Sequence, residues 1–184
     1  MVLGESGFHL DHYAMRWVTT KMKTKSQIPS VADLASILVG VSGEYFVAAE
    51  LTRRGYIASI TLKNTRGIDV LASNEDASKS VGIQVKTNST KRKDWILNEK
   101  AEKSHSNSLF YIFVNLSDAG RLPDYYVVPS RVVASYVKRT HREWLAKRGR
   151  HGRKHRDNPM RHFKDEIEVY RDRWDLLKLS KKRK

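Results

Sequence analysis

A lone carboxylate inside an apolar strand is the first residue of this chain that invites a chemical reading. Asp69 stands between Ile68 and Val70-Leu71, where an unpaired charge is expensive to bury. Fifteen residues on, a second apolar run carries Gln84-Val85-Lys86. Side chains alternate along a strand, so Gln84 and Lys86 share one face while Ile83 and Val85 take the other. A hairpin joining 68–73 to 80–87 would gather an acid, an amide oxygen and an ammonium at one sheet edge. That set suits a hard divalent cation, Mg²⁺ or Mn²⁺, which takes few protein oxygens and keeps several waters. Lys86 could orient or deprotonate a metal-bound water, or neutralise charge on a phosphate under attack. The same residues also permit a structural ion pair between Asp69 and Lys86, with Gln84 completing a hydrogen-bond network and no metal present.

Charge names the kind of partner such a site would meet. The 184 residues hold 35 Lys+Arg against 20 Asp+Glu, a net charge of +15. Residues 1–130 contribute 16 basic and 13 acidic side chains, residues 131–184 contribute 19 and 7. The excess therefore peaks late, in Arg148, Arg150, Arg153, Lys154 and Arg156 and in the closing Lys181-Lys182-Arg183-Lys184. A polyanion is the expected partner, and nucleic acid the foremost one. The last four residues read as a solvated tail, whereas the 148–156 run, with two glycines and no acid, reads equally as a phosphate contact. Zero cysteines exclude disulfides, cysteine zinc sites, iron–sulfur clusters and thiol nucleophiles. No stretch approaches the roughly 18 apolar residues of a membrane span. Glu5, His9, Asp11 and His12 interrupt any secretory pattern, so a cytoplasmic location is expected.

The elements that must position these residues follow from periodicity. Residues 1–28 lack it and read as a mobile N-terminal arm. Ser30-Val31-Ala32-Asp33 resembles a capping box, and Val31, Leu34, Ile37, Leu38 and Val41 continue at helical spacing. Gly40 and Gly43 weaken that stretch, which resumes through Val47 and Leu51 and closes at Gly55. Short strands are expected over 56–62, 68–72 and 81–87, a polar loop over 88–94 and a short helix over 98–104. Leu109 to Leu116 reads as a strand buried on both faces, followed by a strand over 125–128. Ser130 is expected to cap a helix bearing Val133, Tyr136, Val137 and Trp144. A last helix is expected from Asp165 to Leu177, with Ile167, Tyr170 and Trp174 on one face. The whole is an α/β sandwich: a core over 29–147 and a basic C-terminal extension with one helix over 148–184.

The core resembles the PD-(D/E)XK nuclease superfamily over about residues 42–128. The likeness rests on Gly43-Glu44-Tyr45-Phe46-Val47-Ala48-Ala49-Glu50-Leu51 with Arg54-Gly55-Tyr56, on Gly67-Ile68-Asp69-Val70, and on Ile83-Gln84-Val85-Lys86-Thr87. It is similar to archaeal Holliday junction resolvases, whose helical glutamate precedes a Gly-aromatic pair by eleven residues, the spacing of Glu44 and Gly55 here. The resemblance implies a restriction-endonuclease-like αβββαβ sandwich with a mixed central sheet and extra C-terminal helices. It further implies that Glu44, Asp69, Gln84 and Lys86 gather around Mg²⁺ to cut DNA, with a homodimer as in resolvase-like relatives. Gln84 departs from the commoner Glu or Asp, as in restriction endonucleases directed at modified DNA, and removes one negative charge from the metal site. Ile68 stands where the family name has proline.

Further residues divide between sharp and ordinary readings. Glu44 and the order of elements favour the catalytic reading of Asp69 and Lys86 over the ion pair. Glu50 is the expected partner of Arg53 or Arg54 on its own helix. Lys63 and Arg66, in the turn before Asp69, lie where a scissile strand would pass. With Lys91, Arg92, Lys93 and the 148–156 arginines and lysine they are the expected backbone contacts. Trp95 beside the 91–93 run could stack on a base, although a tryptophan is more often core. His151, His155 and His162 lie among cations that disfavour zinc. Two other classes stay open beside the nuclease: a nuclease-fold DNA-binding or assembly module without catalysis, and an RNA-associated basic protein.

Overall fold

The structure, a computed structural model, describes residues 30–62 and 67–180. The expected arm over 1–28 lies outside them, as do Lys63 and Arg66. Ser30 accepts the Ala32 N–H at 3.4 Å, but the turn it caps is a 3-10 turn, Val31–Asp33. Helix α1 begins only at Ser36 and runs unbroken to Arg53. Val39, Gly43, Val47 and Leu51, four residues apart, form its buried stripe. Gly55, at φ +82°, turns the chain out as expected, and the Tyr56 N–H returns to the Leu51 carbonyl at 3.1 Å. Glu50 pairs with both Arg53 and Arg54, at 3.1 and 3.0 Å.

Helix α1 packs on a five-stranded mixed sheet. Strands β1 (Ile57–Ile60), β2 (Val70–Ser73) and β3 (Ser80–Asn88) form an antiparallel meander. After β3 comes β4 (Asp94–Asn98), unexpected from the sequence, then a 3-10 turn over Glu99–Glu102 where a helix was expected. Strand β5 (Leu109–Asn115) lies parallel to β3, and β6 (Asp124–Pro129) closes the order β1-β2-β3-β5-β6. Helix α2 (Ser130–Ala146) follows β6, so no α-helix joins β3 to β5. Ser130 does not cap α2: its hydroxyl takes the Ser106 N–H and donates to the Ser106 carbonyl, pinning the loop before β5 instead. Two apolar layers result. Val47, Leu51, Val70, Ile83, Val85, Ile112 and Val127 fill the α1 side. Trp95, Tyr111, Phe113, Tyr126, Val133 and Phe163 fill the α2 side, with the Phe113 and Phe163 rings stacked at 4.6 Å.

The C-terminal third departs furthest from expectation. Met160–Lys164 is a strand, β7, paired antiparallel with β4 as a second, two-stranded sheet. No helix spans 165–177. The Asp165 carboxylate captures the N–H groups of Val169 and Tyr170, both at 2.9 Å, and Glu168 and Asp172 adopt left-handed φ of 58° and 52°. Those three features coil the chain into turns before a short 3-10 helix over Trp174–Leu177. Ile167 is consequently 84% exposed, whereas Trp174, Leu177 and Leu179 are buried in the α1-side layer. No helix among the described residues is long and apolar enough to cross a membrane.

Glu168 ties these turns down, bonding Lys93 at 2.8 Å and Arg171 at 3.1 Å, while Arg171 reaches Asp124 at 2.6 Å. The Lys93 ammonium, followed by Arg171 and Tyr126, holds the Glu168 carboxyl at about 2, below its ordinary 4.5. A carboxyl lowered by folding stabilises above its unfolded pKa and loses that contribution as pH falls through the folded one. Acid titration is therefore expected to loosen the 165–172 turns between about pH 4.5 and 2, and Glu168→Gln should flatten that part of the stability profile. An unchanged profile would show the network contributes nothing.

Candidate active site

The centre of the site is a break in the β2–β3 ladder. Val70 pairs with Ile83, and Asp69 lies just beyond this last pair of the β2–β3 register. The Asp69 N–H still donates to the Ile83 carbonyl at 2.8 Å. The regular β2–β3 pairing ends at Val70, and the Thr61 hydroxyl donates to the Ile68 carbonyl at 2.5 Å. The Val85 N–H, which faces that edge, is received instead by the Asp69 carboxylate, Oδ2 at 2.7 Å. Asp69 thus stands in for a backbone acceptor, and among the described residues its second oxygen has no hydrogen bond. Amide groups alternate sides along a strand, so the Val85 carbonyl faces the same edge as that of Ile83, beyond the last β2 partner.

Gln84 and Lys86 share a face, as expected, and that face lines a cleft of about 930 Å³. Ile68, Leu71, Lys100 and Tyr111 line it too, and helix α2 does not cover it. Lys86 is half-buried, and neither its side chain nor that of Gln84 has a hydrogen bond or ion pair among the described residues. The structural pairing of Asp69 with Lys86 does not form. An ammonium without a counter-charge at the wall of a cleft is free to meet an incoming anion.

Glu44 approaches from elsewhere. Helix α1 lies against the opposite sheet face, and its Gly43 packs directly on Thr87. A Cβ added at Gly43 would collide with Thr87 Oγ1 and stand 3.0 Å from Thr87 Cβ. Glu44 is therefore held beside the strand that carries Gln84 and Lys86, and it already has a partner of its own. No three His, Asp or Glu side chains that could hold a metal gather among the described residues. The oxygens that Asp69, Gln84 and the Val85 carbonyl offer match in kind what Mg²⁺ or Mn²⁺ prefers, with a single formal charge.

The basic residues divide. Lys93 is committed to Glu168, while Lys91 and Arg92 are exposed. The 148–156 run is a tight knuckle, not a tail. Arg148 bridges Lys154, the Gly149 N–H donates to the Arg153 carbonyl at 2.8 Å, and the His155 ring stacks on Trp144 at 4.1 Å. Arg148, Arg153, Lys154 and Arg156 are exposed on it. His162 bonds Asp94 at 2.9 Å. Trp95 is core, its indole N–H on the Val114 carbonyl at 3.1 Å.

No family model matches the chain, and no curated protein matches it. Two solved structures show a distant likeness. A bacterial homing endonuclease is 15% identical over 78% of this chain and 92% of its own, with a TM-score of 0.48. Hjc of Archaeoglobus fulgidus, a Holliday junction resolvase from an archaeal hyperthermophile, is 13% identical over 70% of this chain and 86% of its own, with a TM-score of 0.40. At that level of likeness neither neighbour's activity transfers to this chain.

One residue of the cleft is missed by sequence reasoning. Tyr111, on β5, pairs in register with Gln84 and lies on the cleft floor. Burial, then the charge of Asp69, push its hydroxyl up to about 12. Within the run Leu109 to Leu116 nothing marks Tyr111 as anything but core.

Proposed function

We propose that the chain is a metal-dependent nuclease, an endonuclease hydrolysing DNA phosphodiester bonds. The observation that carries the reading is the Asp69 carboxylate standing in for backbone at the end of β2, against the strand whose Gln84 and Lys86 line an open cleft. Asp69, Gln84 and the Val85 carbonyl would hold Mg²⁺ or Mn²⁺, with Glu44 completing the set from α1. When bound, the ion supplies Lewis acidity and a lowered water pKa. Lys86 meets the phosphate from the cleft wall, neutralising charge as a water oxygen attaches to phosphorus and the P–O bond to the leaving strand breaks. Asp69 and Gln84 orient that water, while Leu71 and Ile68 exclude others. Lys63, Arg66, Lys91, Arg92 and the knuckle cations Arg148, Arg150, Arg153, Lys154 and Arg156 grip backbone phosphates, with Lys93 lending its field from its pairing with Glu168.

Lys86→Ala tests the assignment. Mg²⁺-dependent cleavage of duplex and branched DNA is expected to fall by about 100-fold or more, while DNA binding at fixed salt stays close to wild type. Equal cleavage by the two proteins would remove Lys86 from the mechanism. A second reading, a DNA-binding module without catalysis, is favoured by the neutral Gln84. Gln84→Glu separates the two: a nuclease short of one charge should bind metal more tightly, whereas a module should be indifferent.

A further inference from the structure

Tyr111 has the features of a group built to touch substrate. It is 1% exposed and its ring packs against Phe113 at 5.7 Å, so its position is fixed by the core. Its hydroxyl makes no hydrogen bond among the described residues. Among the described residues the sealed side-chain atoms that lack a partner are those of Thr87, Asn115 and Trp174, and the Tyr111 hydroxyl is not one of them. Tyr111 lines the cleft. The register sets the residue beside Gln84, on the face shared with Lys86, and it is close enough to Asp69 to feel its charge. A phenol can give its O–H to an acceptor. A phosphodiester presents such acceptors, and the Lys86 ammonium on the same cleft suits its charge.

We infer that Tyr111 donates its hydroxyl to a non-bridging oxygen of the scissile phosphate, opposite Lys86, and so fixes the phosphate over the Asp69–Gln84 edge. The inference rests on the nuclease reading above. The contact tightens as charge builds on the phosphoryl oxygens, which places its effect on turnover more than on binding.

Tyr111→Phe removes one oxygen that no protein group uses, so the variant should melt with the wild type. Its kcat for Mg²⁺-dependent DNA cleavage is expected to drop about 100-fold, with the Kd for a short duplex within about threefold. A second readout reports contact directly. The ¹³Cζ tyrosine resonance that disappears in Tyr111→Phe should shift when metal-free duplex is added to the wild type, and should not shift in the same way with an uncharged-backbone analogue. Lys86→Ala, assayed alongside, separates the failures. If Lys86→Ala is inactive while Tyr111→Phe cleaves like wild type, or the resonance stays still, the role of Tyr111 is overturned and the nuclease stands. If the wild type itself shows no metal-dependent cleavage, the nuclease reading falls and the Tyr111 contact falls with it.

Discussion

Asp69→Asn should leave the chain folded and lower metal-dependent cleavage by about 1000-fold or more, the scale set by loss of a group that acts only in the transition state. Asparagine is the informative change because the carboxylate has two separable jobs. One oxygen accepts the Val85 N–H at 2.7 Å and replaces a missing ladder bond. An amide oxygen can do the same, so the end of β2 keeps its geometry. In the proposed site the second oxygen would be the anionic ligand, and the amide nitrogen that replaces it repels a cation. Asp69→Ala would confound the two by stranding the Val85 N–H, a loss of about 1–3 kcal/mol in stability. Cleavage rates and thermal melts on all three proteins decide the matter. An asparagine variant that cleaves like wild type would show that Asp69 is structural only.

The largest stability effect is expected at Gly43. Helix α1 can sit close to β3 only because residue 43 lacks a Cβ, and the obstacle, Thr87, is rooted in a central strand. Gly43→Ala must push the helix away or distort β3, at about 2–3 kcal/mol or more by the scale of overpacked cores. Gly40 is the control within the same helix. A Cβ there meets nothing within 4 Å, so Gly40→Ala should stabilise by about 0.5–1 kcal/mol through helix propensity alone. Thr87→Ala should absorb part of the Gly43→Ala penalty, giving a favourable coupling in a double-mutant cycle read by urea unfolding. If Gly43→Ala behaves like Gly40→Ala, the helix does not pack on β3 at this point. Because Gly43 precedes Glu44, the same displacement should also weaken cleavage.

The strands that bear the site were legible because alternation survives in them. Val81, Ile83 and Val85 point one way and Gln84 and Lys86 the other, and one turn joins β2 to β3, so the hairpin and the shared face of Gln84 and Lys86 followed from parity. The same parity hides Tyr111. Its place beside Gln84 depends on a parallel pairing of β3 with β5 across some twenty residues, which local patterns do not encode. Strand β7 was hidden by charge. Its inward positions are Arg161 and Phe163, and Arg161 is buried only because Glu102, on a distant turn, neutralises it. The spurious helix over 165–177 arose from a real helical spacing of Ile167, Tyr170 and Trp174, overridden by the Asp165 carboxylate and two left-handed residues. Glu44 shows the limit in the other direction. Spacing in the chain puts it on the right helix, but whether its carboxylate meets Asp69 depends on how the helix lies across the sheet.

A crystal of the protein soaked in Mn²⁺ and measured at the manganese edge tests the central claim most directly. An anomalous peak between the Asp69 carboxylate and the Gln84 side chain, lost in Asp69→Asn, is the predicted result. Absence of that peak from crystals whose protein still cleaves DNA would contradict it.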